Sequence, residues 1–198
     1  MKYLFLLLFS LPLTTYGQFT KGDIFLGGSF GFSTRNSEDN LPSNYVKSNI
    51  FSLQPQFGYF LNNKLALGGN LGFSTINQEA ITPNGTRFLN DSRGITIGFI
   101  LRRYFQISDK FFISIDGNTY FENRVTNAAS TSKSNFIGID LSPVFSFFPS
   151  NNWAIEAGIG SISYEHVNHE SGSNTNIFEM NYGSLNLGLT YFFRREVN

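Results

Sequence analysis

The chain has 198 residues, a formal net charge of +0 and no cysteine. That length sets one domain of ordinary size. The balanced charge, with no basic cluster denser than a pair, excludes a nucleic-acid partner, and the missing thiols exclude disulfides, thiolate catalysis, zinc–thiolate sites and an acylated cysteine anchor.

Residues 1–17 read as a signal peptide. Lys2 supplies the positive start, Tyr3 to Leu13 a short apolar stretch ended near Pro12, and Thr15 and Gly17 the small residues of a cleavage site before Gln18. The apolar stretch is shorter than the ~20 residues of a spanning helix. The mature domain is then 18–198.

From there the pattern has period two. Large apolar residues alternate with small or polar ones over 24–33, 51–59, 65–74, 95–102, 111–122, 137–147, 153–160 and 184–193. In the first run Ile24, Leu26, Phe30 and Phe32 alternate with Gly27, Ser29 and Gly31; in the last, Leu185, Leu187, Leu189, Tyr191 and Phe193 alternate with Asn186, Gly188 and Thr190. Runs of about 9–12 residues suit tilted bilayer-crossing strands. Pro55 and Pro143 sit in lipid-facing phase, so each predicts a bulge or a gap in the ladder.

Tight turns are expected at Asn62-Asn63, Ser108-Asp109 and Pro149 to Asn152, with long polar loops over 34–47, 77–92, 125–135 and 165–178. This alternation of short and long connections is the layout of a transmembrane barrel. A soluble barrel also alternates, but its polar face carries many charges. Here only 14% of residues are charged, against about 25% in a soluble domain. The non-apolar face is Gly, Ser, Ala, Asn and Thr, which fits the narrow inside of an eight-stranded barrel. The fold expected is all-β: a closed antiparallel up-and-down transmembrane β-barrel of about eight strands, after a cleaved signal peptide.

Two groups of site residues follow. Phe60, Tyr104, Phe105, Phe111, Phe112, Phe147, Phe148, Trp153, Tyr191 and Phe193 lie near the short turns and suggest an interfacial aromatic girdle. Arg102, Asp116, Asp140 and Glu156 fall in the inward phase of consecutive strands and suggest an interior polar network, helped by Arg103, Arg124 or Lys133. His166 and His169, near Glu165 and Glu170, form a His-x-x-His in a loop, which lacks a zincin's helical frame. No metal or cofactor is expected. A Ser/His/acid trio from Ser171 or Ser173, His169 and Glu170 or Glu179 would need to converge in space to act as a hydrolase.

The chain resembles the small outer-membrane β-barrel family of the OmpA/OmpX and PorT-like type. The resemblance covers Lys21 to Phe193 and rests on the Gly-rich phase of 24–33, on Leu65-Ala66-Leu67-Gly68-Gly69-Asn70-Leu71-Gly72-Phe73, and on the closing Leu185 to Phe193. It implies a bacterial outer-membrane location and export by the signal peptide. It also implies lipid, lipopolysaccharide and the barrel-insertion machinery as partners. In this family the last strand ends in an aromatic residue read by that machinery; here Phe193 is followed by Arg194-Arg195-Glu196-Val197-Asn198. The leading expectation is a structural or surface-interaction barrel, not an enzyme, whose four loops meet an extracellular ligand. The runners-up are a lipid-A-modifying hydrolase or acyltransferase, a small pore, and a soluble ligand-binding barrel.

Overall fold

The computed structural model describes residues 19–38, 45–81 and 85–195. The expected signal peptide, 1–17, lies outside the described residues. Eight antiparallel strands follow in order: β1 (Ile24–Glu38), β2 (Tyr45–Phe60), β3 (Leu65–Ile81), β4 (Arg87–Ser108), β5 (Phe111–Asn127), β6 (Thr131–Phe147), β7 (Trp153–His169) and β8 (Asn174–Phe193). Each pairs with its neighbours in sequence, and β1 also pairs with β8, so a ring of hydrogen bonds passes through all eight.

Successive side chains of a strand point to opposite faces, so the alternation in the sequence becomes an inside and an outside. Leu26, Phe32, Leu71, Ile97, Phe99, Leu141 and Leu189 are exposed on the outer wall. Glycines thin the inner wall where a large ring must fit. A Cβ at Gly58 would collide with the Phe25 ring, and one at Gly138 with the Tyr120 ring.

The irregularities sit where the backbone cannot keep a regular ladder. The β2–β3 pairing runs to Leu53↔Phe73 and resumes at Gln56↔Asn70, leaving Pro55 in a gap, because proline has no N–H to donate. Opposite Pro143 the β6–β7 register shifts between Leu141 and Val144. A larger bulge lies on β8: Gly158 pairs with Asn186 but Gly160 with Tyr182. Gly160 and Gly183 there take φ of 145° and 85°, a region that L side chains rarely occupy.

Strand extensions take up much of all four long loops expected from sequence, the first pairing out to Glu38↔Tyr45. Hairpin pairing runs to Ile81↔Arg87, Asn127↔Thr131 and Asn168↔Asn174. Only short turns remain of 125–135 and 165–178, while 39–44 of the first loop and 82–84 of the second lie outside the described residues. The extensions escaped the sequence reading because above the apolar belt polar residues occupy consecutive positions on both strands, as in Asn77-Gln78 against Asn90-Asp91. Alternation disappears there although the ladder continues.

The core sits at the short-turn end. Phe19, Phe25, Phe60, Ala66, Tyr104, Phe112, Phe148, Ala154 and Phe192 pack together inside the barrel. Phe19 is the hub. Its ring centroid lies 4.4 Å from Phe60, 4.6 Å from Tyr104, 5.3 Å from Phe112, 5.4 Å from Phe192 and 5.9 Å from Phe148.

Candidate functional site in the lumen

Above the aromatic core, β4 carries Arg102 into the lumen two residues before Tyr104. Arg102 is 2% exposed. Its Nε donates to Asp116 Oδ1 at 2.8 Å and its Nη2 to Asp116 Oδ2 at 2.6 Å, a bidentate pair across the β4–β5 rung Arg102↔Asp116. Its Nη1 donates to Glu156 Oε1 at 2.8 Å and to the Tyr104 hydroxyl at 3.1 Å.

The two carboxylates are held in turn. Ser114 Oγ donates to Asp116 Oδ1 at 3.0 Å, while Thr190 Oγ1 and Gln56 Nε2 donate to Glu156 Oε2 at 3.0 and 3.3 Å. Ser146 Oγ donates to Glu156 Oε1 at 3.4 Å. One guanidinium thereby ties together side chains from β2, β4, β5, β6, β7 and β8. The Coulomb gain and these bonds offset the desolvation of three buried charges.

The structure brings Arg102, Asp116 and Glu156 together but keeps Asp140 apart. Register is the cause. Asp116 pairs across β6 with Ser142, and Asp140 lies one inward rung higher, opposite Asn118. Asp140 accepts from Asn118 Nδ2 and Ser142 Oγ, each at 2.9 Å, and no cation is among its partners in the described residues. Nor do the expected helpers join. Arg103 faces outward beside Phe105, Lys133 is exposed, and Arg124 pairs with Glu122 at 2.6 Å. Higher still, Tyr120 donates a short hydrogen bond to Glu165.

Between these layers lies a cavity of about 270 Å³. It reaches from Asp140 and Asn118 on one wall to Ser29 and Gly188 on the other.

The girdle divides in two. Phe111, Trp153 and Phe193 are exposed on the outer wall, with Tyr191 between Trp153 and Phe193 at 5.0 and 4.8 Å and the Phe147 ring tilted against Phe111 at 4.9 Å. Phe60, Tyr104, Phe112 and Phe148 instead point inward and belong to the core. The phase of the strands dictates this correction. Phe60 is in step with Gln56 and Gly58, Tyr104 with Arg102, and Phe112 with Asp116.

Phe19 and Asp23 were not found from sequence, since both precede the alternating runs. Asp23 is 1% exposed. It accepts from the Thr20 backbone N–H and hydroxyl and from the Arg195 N–H, each at 2.9 Å, and pairs with Arg194 at 3.6 Å. Arg194 lies 4.7 Å over the Phe19 ring. Burial there lowers its pKa from the ordinary value, and the neighbouring Asp23 carboxylate opposes the shift.

The hydrolase trio is not assembled. His169 Nδ1 contacts Ser134 Oγ at 3.0 Å and its Nε2 contacts Thr175 Oγ1 at 3.5 Å, while Ser171 and Ser173 bond to each other at 3.1 Å. His166 contacts Asn176 and Asn168 at 2.7 and 3.2 Å. Among the described residues no group of three or more His, Asp or Glu is placed to hold a metal.

No family model and no curated protein matches the chain. Solved structures do. The outer membrane protein OprG from Pseudomonas aeruginosa aligns at 14% identity with a TM-score of 0.56, covering 90% of this chain and 99% of its own. The Neisserial surface protein A aligns at 14% identity with a TM-score of 0.51, covering 85% and 95%. At that identity the likeness is one of fold. The chain has the fold of small outer-membrane β-barrels.

Proposed function

We propose that the protein is a bacterial outer-membrane β-barrel, exported by the peptide 1–17, with a structural or surface-interaction role and no open pore. The observation that carries this reading is the filled lumen. Seven rings pack the short-turn end, and directly above them Arg102 ties six strands through buried hydrogen bonds. Conduction needs a continuous wet path, and eight strands leave room for little beyond side chains. The outer apolar wall fits lipid and lipopolysaccharide. The polar hairpin extensions are the surface offered to an extracellular partner. Kinship with the OmpA/OmpX and PorT-like barrels and delivery by the insertion machinery belong to the same proposal.

Planar-bilayer recording tests it. The reconstituted barrel is expected to show no steady conductance; a long-lived open level in every insertion event would overturn the reading in favour of the small pore. Among the alternatives, the enzyme has the weaker support, because among the described residues His169 has no carboxylate hydrogen-bonded to its ring.

A membrane wall also sets a mutational expectation. Ile97 is exposed midway along β4's apolar run. Ile97→Arg is expected to lower stability in lipid by about 2–4 kcal/mol, the cost of a lipid-facing arginine near the midplane. Urea titration in bilayers measures it. Thr96→Ser, on the inner face of the same strand, serves as the near-neutral control.

A further inference from the structure

The ring is not sealed along its whole height. β1 pairs with β8 from Ile24↔Phe193 to Ser29↔Gly188. Beyond that rung β1 pairs with β2 alone, and β8 pairs with β7 alone, among the described residues. The β8 bulge lies at this level and re-aims the strand, as bulges do. The seam opens inside the apolar belt. Phe30 and Phe32 flank it on β1 at 63% and 67% exposure, and Leu185 and Leu187 flank it on β8 at 65% and 57%.

The lumenal cavity ends at the same place. Gly28, Ser29, Asn186, Leu187 and Gly188 line both it and the seam. Across the lumen its lining holds one guanidinium, Arg102, against three carboxylates, Asp116, Glu156 and Asp140. Two of those are engaged by Arg102; Asp140 has only the amide and hydroxyl donors given above. Asn70, another lining residue, is 6% exposed and its Oδ1 has no hydrogen-bond partner among the described residues, as is true of Asn118 Oδ1. The two buried lining atoms left without a partner among the described residues are therefore both acceptors, and the nearby Asp140 carboxylate has only neutral donors.

We propose that this cavity binds the primary ammonium group of an amphiphile that enters sideways from the outer leaflet through the β1–β8 seam. The ammonium supplies three donors, which suit the Asp140 carboxylate and the Asn70 and Asn118 carbonyls. Its apolar tail lies across Phe30, Phe32, Leu185 and Leu187, where lipid chains already belong. A cavity of about 270 Å³ admits a headgroup with some water but not a whole lipid. The proposal rests on the membrane-barrel reading above, and it survives or fails separately from it.

The probe is a decylammonium carrying a photoreactive diazirine in its tail, added to the barrel in phosphatidylcholine nanodiscs, with adducts located by mass spectrometry. Adducts concentrated on the seam residues of β1 and β8 are expected. Asp140→Asn is expected to reduce them about tenfold, the scale of one charge-assisted hydrogen bond. A decanoate with the same tail, on the unaltered protein, is expected to give no such concentration, which keeps the test valid should the variant fold poorly. Competition by added phosphatidylethanolamine would support the proposal with a lipid headgroup as the source; seam labelling without competition supports it with a free amine. Adducts spread evenly around the belt, or equal for ammonium and carboxylate probes, overturn it while leaving the membrane barrel intact. Absence of adducts anywhere on the outer wall would instead sink the membrane reading.

Discussion

Arg102→Ala is expected to destabilise the barrel by about 3–5 kcal/mol, the cost of removing one partner from a buried ion pair. The size of the loss comes from what remains. Asp116 and Glu156 are 5% and 4% exposed, and without the guanidinium they are two like charges buried in one lumen. Ser114, Thr190, Gln56 and Ser146 still donate to them, but neutral donors do not cancel charge. The triple variant Arg102→Met, Asp116→Asn, Glu156→Gln is expected to recover most of the loss, since replacing a whole buried ionic group is often close to neutral. Urea unfolding in detergent micelles, followed by the heat-modifiable gel band, measures both. If the triple variant were as unstable as Arg102→Ala, unpaired charge would not be the reason.

Phe19→Ala is expected to cost about 3–5 kcal/mol, the range for a buried Phe truncated to Ala. Phe19 is 1% exposed and touches rings contributed by β2, β4, β5 and β8 as well as Phe148. Its removal leaves a void that no neighbour fills without leaving its own stack. The effect should appear in the near-ultraviolet circular dichroism of the aromatic core as well as in stability. A cost below about 1 kcal/mol, a surface-like value, would mean that Phe19 merely covers the barrel end. Phe19→Leu, which retains most of the volume, separates filling from ring stacking.

The outer wall was the most legible part of the sequence. Leu, Ile and Phe at every second position report a half-buried strand directly, and Arg102, Asp116 and Glu156 could be assigned to one interior from phase alone. Phase also contained the places of Phe60, Tyr104 and Phe112; bunching near the turns suggested a girdle, and the inward parity shared with Arg102 outweighs it. Other features had no local signal. Asp140 differs from Asp116 only by one inward rung across β5 and β6, and register is a property of two strands rather than one. The polar hairpin extensions lack alternation because both faces meet water. The seam depends on a bulge that places Gly160 opposite Tyr182, a long-range mismatch that neither strand announces. Phe19 stands outside every periodic run and acquires its role only when six other rings gather around it.

The central claim is that the apolar face looks out into lipid. Trp153 is the chain's only tryptophan, and it lies on the outer wall at 43% exposure. Its fluorescence in bilayers of lipids brominated on the acyl chain tests the claim most directly. The account predicts clear quenching by bromine relative to unbrominated lipid, strongest for bromines near the headgroup end of the chain, as befits an interfacial ring. Fluorescence indifferent to bromine but quenched by iodide would place that wall in water and contradict it.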